Sequence, residues 1–149
     1  MDHCVTAALC ALALLLAGST PGRAAGDPDW IGRVRKDHPR LFFSADTWPA
    51  VKARALGPER AFYDRLKQRV DALPRQPEVK DWGSDAARAA FVYRVTGDAA
   101  YLGLTKALLC RSIESYQATR AALKSVDWYS TSRINAWCAF DWVFNELTP

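Results

Sequence analysis

One stretch of the sequence, residues 127–135, combines aromatic, hydroxyl, amide and cationic side chains. Trp128 and Tyr129 offer adjacent rings that can stack on a sugar, and Arg133 can bind a carboxylate through two parallel hydrogen bonds. With Asn135 close by, the stretch is a candidate site for an acidic sugar. In the alternative interpretation, the two rings fill space at the rim of the domain and Arg133 pairs with Asp127.

The remaining tryptophans divide into one further candidate and two core residues. Trp82 lies in an Asp-Trp-Gly sequence that is typical of a loop, and it is a second candidate for sugar contact. Trp137 and Trp142 lie within an apolar helical pattern, so we predict that both belong to the core.

The composition bounds the classes of protein that the chain can belong to. It has 149 residues, of which 24% are charged and 11% aromatic, and a formal net charge of +4. These values predict one ordinary domain and exclude disordered and collagen-like chains. The basic surplus suits an acidic substrate, although interleaved acids make a solvated face the simpler explanation. No nucleic-acid-binding motif is present, so nucleic acid is not an expected partner.

Residues 1–25 have the pattern of a secretory signal peptide. Residues 5–17 are apolar without a charge, but they are too few for a membrane span of about 20 residues. Small residues follow, up to a plausible cleavage site after Ala24 or Ala25. We therefore expect a periplasmic or secreted protein with no membrane attachment once the signal is removed. The alternative is a buried first helix.

Removal of that segment would leave two cysteines, Cys110 and Cys138. They either pair in an oxidising compartment or remain as thiols inside apolar helices. No Cys-x-x-Cys or Cys/His ligand spacing occurs, so the sequence predicts neither a metal site nor a cofactor.

Capping residues, prolines and glycines divide the chain after Arg40 into five predicted helices. The expected N-caps are Ser44, Ser84 and either Ser130 or Ser132. The helices are expected at about 45–55, 59–73, 85–96, 99–119 and from residue 130 or so to 147. In the second helix, an apolar stripe is expected to face inward: Phe62, Leu66, Val70 and Leu73. The fold class is therefore all-α, with short turns that imply antiparallel helical hairpins.

The fifth predicted helix is apolar nearly all round, which is typical of a helix wrapped by other helices. Four other helices do not suffice to wrap it, and Thr148-Pro149 has the pattern of a further helix start. The expectation is a chain truncated at its C-terminus.

Two stretches resemble the heparinase II/III-like polysaccharide lyases, and a third lies between them. Residues 38–55, HPRLFFSADTWPAVKARA, are similar to that family's N-terminal signature, and residues 135–149, NAWCAFDWVFNELTP, to its apolar helix with an aromatic-Asp-Trp core. Between them, VYRVTGDAAYLGLTKALL resembles the helix–TGD–helix hairpin of many α/α-toroid enzymes.

The resemblance implies that residues 26–149 are the N-terminal portion of an incomplete α/α toroid, and that the missing toroid helices and β-sandwich domains belong to the same parent chain. Such enzymes cleave uronate-containing polysaccharides by β-elimination, in which a neutralised carboxylate acidifies the C5 proton and a base removes it. The family's catalytic Asn, His and Tyr lie mostly on later helices, so no catalytic residue is assigned here. His38 is interpreted as a structural loop residue, and the chain alone is expected to be inactive.

Two other functions are compatible with the residues. One is a stand-alone secreted helical module that binds glycan or protein. The other is a toroid glycoside hydrolase, which requires paired carboxylates, whereas Asp141 and Glu146 are not obviously paired in the sequence.

Overall fold

The computed structural model describes residues 30–75, 81–125 and 130–147. The chain divides into two compact units between Asp37 and His38. In the first unit the described residues form one 3-10 turn, Ile31–Arg33, and the Arg35 guanidinium donates hydrogen bonds of 3.0 and 2.6 Å to the Asp37 carboxylate.

The second unit is all-helical in its described residues, which confirms the predicted fold class. Its five α-helices are α1 (Trp48–Leu56), α2 (Arg60–Ala72), α3 (Trp82–Thr96), α4 (Ala99–Ala121) and α5 (Thr131–Trp142). Short 3-10 turns follow α2 at Leu73–Arg75 and α5 at Phe144–Glu146.

The turn between α3 and α4 forms as predicted. Gly97 has a φ of 75° and ends α3, with its N–H bonded to the Tyr93 carbonyl at 2.7 Å. This left-handed conformation suits glycine because it has no Cβ. The Asp98 carboxylate then accepts the Ala100 N–H at 2.8 Å and caps α4. The result is a tight hairpin of two neighbouring helices.

Two predicted helix starts are wrong. Helix α1 begins at Trp48, because the Ser44 N–H donates to the Thr47 hydroxyl and residues 45–47 form a turn. Helix α3 begins at Trp82 rather than after Ser84, because Asp81 is its N-cap and accepts the Ser84 N–H at 3.3 Å. The Asp81 carboxylate thus caps α3 in place of the Ser84 hydroxyl, and the helix begins earlier than predicted.

Among the described residues, the most enclosed helix is α3 rather than the fifth predicted helix. Helix α3 packs against both α4 and α5, and small residues such as Ala86, Ala89 and Ala90 are fully buried. Because their side chains are short, both neighbours approach the α3 backbone closely. Helix α5 instead leaves Ile134 and Trp137 about half exposed, at 52% and 53%, so the predicted core position of Trp137 is wrong.

An aromatic cluster joins the N-terminal segment of this unit to its helices. Phe43 packs against Trp48 and Trp142, with ring centroids 4.9 and 5.0 Å apart, and Phe91 completes the cluster edge-on to both tryptophans. Trp142 belongs to this cluster but is only half-buried, so it does not reach the fully buried core that was predicted for it. Phe62 is 61% exposed, so its predicted inward position is wrong; α2 buries Tyr63 and Val70 instead.

The two described cysteines are free thiols. Burial, and then the charge of Asp141, raise the pKa of the Cys138 thiol above its ordinary value. We expect iodoacetamide at pH 8 to label half-buried Cys110 at least tenfold faster than Cys138, because the Cys138 thiol is buried and its raised pKa disfavours the reactive thiolate. Peptide mapping by mass spectrometry separates the two sites. Equal labelling rates in the folded chain would contradict this packing of α5.

Candidate functional site

An open groove of about 270 Å³ runs between α2, α3 and α5. Its walls are mostly apolar, with aromatic rings from all three helices and a few polar groups. The lining residues are Phe62, Leu66, Ser84, Ala87, Arg88, Phe91, Asn135 and Trp142. Apolar walls with a small number of placed polar groups are characteristic of ligand sites.

One end of the groove is built where the N-termini of α3 and α5 meet. The Gly83 N–H donates to the Ser132 hydroxyl at 3.2 Å, and a Cβ at Gly83 would lie only 1.9 Å from the Ser132 carbonyl oxygen. The Asn135 amide donates to the Ser84 hydroxyl at 2.9 Å. These contacts fix Asn135 on the groove wall, so its position depends on a helix crossing that only glycine permits.

Two arginines share a single buried carboxylate, and one of them, Arg88, lines the groove. Arg88 forms an ion pair with Asp85, whose side chain is 5% exposed, and the Arg69 guanidinium lies 3.9 Å from the same carboxylate. The two guanidinium groups thus flank one carboxylate. Of these charged groups Arg88 lines the groove, so its guanidinium is the cation that the groove offers to an anionic ligand.

Two further charged groups belong to the same two helices, one on α2 and one at the N-cap of α3. On α2, the exposed Arg65 guanidinium lies 5.9 Å from the centroid of the Phe62 ring at the groove edge. At the start of α3, burial acts to raise the pKa of Asp81, but hydrogen bonds from Ser132 and Ser84 and the charge of Arg88 outweigh it and lower that pKa. Asp81 therefore adds a second negative charge near Arg88, besides that of Asp85.

The structure places the sequence-predicted site residues in different environments. Asn135 lines the groove, whereas the Arg133 guanidinium lies over the Tyr116 ring of α4, 4.9 Å from its centroid. Trp82 is the first residue of α3, half-buried, and its indole Nε1 is buried without a partner among the described residues. Trp128 and Tyr129 lie outside the described residues.

Asp141 binds the segment that precedes α1. Its carboxylate accepts the His38 Nδ1–H at 2.6 Å and the backbone N–H groups of Arg40 and Leu41 at 2.8 Å each. The Trp142 indole donates to the Leu41 carbonyl at 2.9 Å. We call these contacts the Asp141 clasp. They hold the start of the second unit against α5.

The clasp gives His38 and Asp141 partners that the sequence did not reveal. The His38 ring also stacks on Phe144, with centroids 3.9 Å apart, and Asn145 donates to the His38 carbonyl at 3.2 Å. These contacts agree with a structural role for His38. They also mean that the two stretches that resemble the lyase family pack directly against each other.

Sequence reasoning missed Arg88 and Phe62 as groove residues. Arg88 is the only charged residue between Asp85 and Arg94 on a helix otherwise rich in alanine, and a lone cation in such a stretch is a usable signal. The sequence predicts Phe62 in the buried stripe because its spacing from Leu66 fits the helical period.

Comparison of the chain with protein-family models, with curated proteins and with solved structures finds no match. Among the described residues, no three His, Cys, Asp or Glu side chains cluster closely enough to hold a metal ion. In the same part of the chain, no helix has the length and apolarity needed to span a membrane.

Proposed function

We propose that this chain forms the N-terminal part of an α/α toroid in a secreted or periplasmic polysaccharide lyase, and that its groove binds a uronate-containing polysaccharide. The observation that carries the proposal is the groove itself, in which Arg88 and Asn135 stand among the rings of Phe62, Phe91 and Trp142. Aromatic faces suit the C–H faces of sugar rings, and a guanidinium suits a carboxylate.

The proposed role of this chain in β-elimination is to hold and neutralise the carboxylate. Neutralisation makes the C5 proton of a uronate more acidic, which is the first requirement of the reaction. Removal of that proton and protonation of the leaving oxygen need a base and an acid, and we assign neither to these residues. The exposed apolar side chains of α5, Ile134 and Trp137, suit a surface on which further toroid helices pack.

Oligosaccharide binding tests the groove. We expect the chain to bind a tetrasaccharide prepared from alginate, and to bind neutral cellotetraose at least tenfold more weakly. Arg88→Gln, and separately Asn135→Ala, should each reduce affinity for the alginate tetrasaccharide about tenfold. Each substitution removes a polar contact to the sugar from a groove wall that is partly shielded from water. Isothermal titration calorimetry measures all of these values.

Arg111→Gln is the matched control, since it removes the same charge from an exposed position on α4. It should leave affinity within twofold of wild type. Equal losses in Arg111→Gln and Arg88→Gln would mean that only net charge matters and would contradict the groove assignment. Ultraviolet absorbance from an unsaturated product, formed by this chain alone, would contradict a purely binding role.

The alternative is a stand-alone secreted helical module that binds glycan or protein and has no lyase activity. The same groove supports glycan binding by such a module. An intact gene product that binds the alginate tetrasaccharide but never yields an unsaturated uronate would favour this alternative.

A further inference from the structure

Phe42 is a residue whose backbone conformation and exposure both oppose stability. Its φ is 66°, in the left-handed region that disfavours residues with a bulky side chain, and its ring is 85% exposed. A glycine or asparagine would suit this backbone better, and a polar side chain would suit the exposure. The stability of the fold therefore does not explain a phenylalanine here.

The residues on both sides of Phe42 fix this conformation. Leu41 is held at both backbone groups, because its N–H donates to Asp141 at 2.8 Å and its carbonyl accepts from the Trp142 indole at 2.9 Å. Phe43, on the other side, is buried between Trp48 and Trp142. With both neighbours anchored, the Asp141 clasp holds the Phe42 ring in solvent. Strained conformations that the surrounding structure enforces are concentrated at ligand-binding sites.

Phe42 is connected to the groove through Trp142. Trp142 lines the groove and also binds the carbonyl of the peptide that links Leu41 to Phe42. Resting on the function proposed above, we infer that Phe42 is a sugar-stacking residue that extends the groove beyond Trp142. Its ring would contact a sugar unit next to the one whose carboxylate lies at Arg88.

Leu123 provides a matched comparison. It is the other described non-glycine residue with positive φ, at 53°, and it is 95% exposed. It lies just after α4, however, where the Lys124 N–H bonds the Thr119 carbonyl at 3.1 Å and a left-handed residue is the usual helix ending. Leu123 shares the conformation of Phe42, but its hydrogen bond among the described residues goes to the Arg120 carbonyl and not to a residue of the groove.

The test compares Phe42→Gly, Phe42→Tyr and Leu123→Gly in the full chain, by thermal melting and by calorimetric titration with the alginate tetrasaccharide. Both glycine variants should melt at or above the wild-type temperature, because the backbone strain is relieved. Phe42→Gly should bind at least fivefold more weakly, whereas Phe42→Tyr and Leu123→Gly should bind within twofold of wild type.

Three outcomes overturn the inference. Wild-type affinity in Phe42→Gly, together with a loss in Arg88→Gln, would remove Phe42 from the site and leave the proposed function standing. A matching loss in Leu123→Gly would show a general effect of backbone change. No binding by the wild-type chain would overturn the proposed function and this inference with it.

Discussion

Gly83→Ala is expected to destabilise the second unit by about 3 kcal/mol or more. The added Cβ would lie 1.9 Å from the Ser132 carbonyl oxygen and 2.7 Å from its carbon, both of them backbone atoms. Since a side-chain rotation cannot relieve this contact, the N-termini of α3 and α5 must separate. Their separation breaks the hydrogen bond from Gly83 to Ser132 and disturbs Asn135 on the groove wall. Urea denaturation, followed by far-ultraviolet circular dichroism, measures the loss.

Gly103→Ala is the control for this substitution. Gly103 lies within α4, and a Cβ there meets no atom within 4 Å. Alanine at an open position inside a helix should stabilise the chain by up to about 1 kcal/mol. A Gly83→Ala variant with the stability of wild type would mean that α3 and α5 do not cross as closely as described.

This crossing also shows why the sequence identified the helices but not which of them is wrapped. The Gly97-Asp98 turn and the length of α4 follow from local signals, namely a left-handed glycine and an aspartate cap. The identity of the inner helix depends on how closely backbones approach. Hydropathy favours the large apolar residues of α5, whereas the small residues Gly83, Ala86 and Ala90 place α3 at the centre.

The candidate site was predictable only in part, for a related reason. Arg133 and Asn135 are neighbours in sequence, but residues two apart on a helix point to nearly opposite sides. Asn135 therefore reaches the groove while Arg133 lies against Tyr116. The partner of Asn135 is Ser84, 51 residues earlier, and nothing local in the sequence indicates that pairing.

The Asp141 clasp is the other contact on which we expect a single substitution to have a large effect. Asp141→Ala should destabilise the second unit by about 3–5 kcal/mol, because it removes a buried carboxylate and leaves two backbone N–H groups and His38 without their acceptor. Denaturant titration gives the free energy of unfolding. Native-state hydrogen exchange should show faster exchange at the amides of Arg40 and Leu41, whose hydrogen bonds are lost.

Asp64→Ala is a suitable control because Asp64 is also a carboxylate in an ion pair, with Arg60 at 2.7 Å, but about half exposed on α2. Solvent-screened pairs of this kind contribute little, so the change should stay within about 0.5 kcal/mol. Asp141→Asn should fall between the two alanine variants, since its single carbonyl oxygen replaces only part of what the carboxylate accepts. If Asp141→Ala unfolds at the same denaturant concentration as Asp64→Ala, Asp141 does not hold the segment from His38 to Leu41. The Asp141 clasp would then not explain the fixed conformation of Phe42.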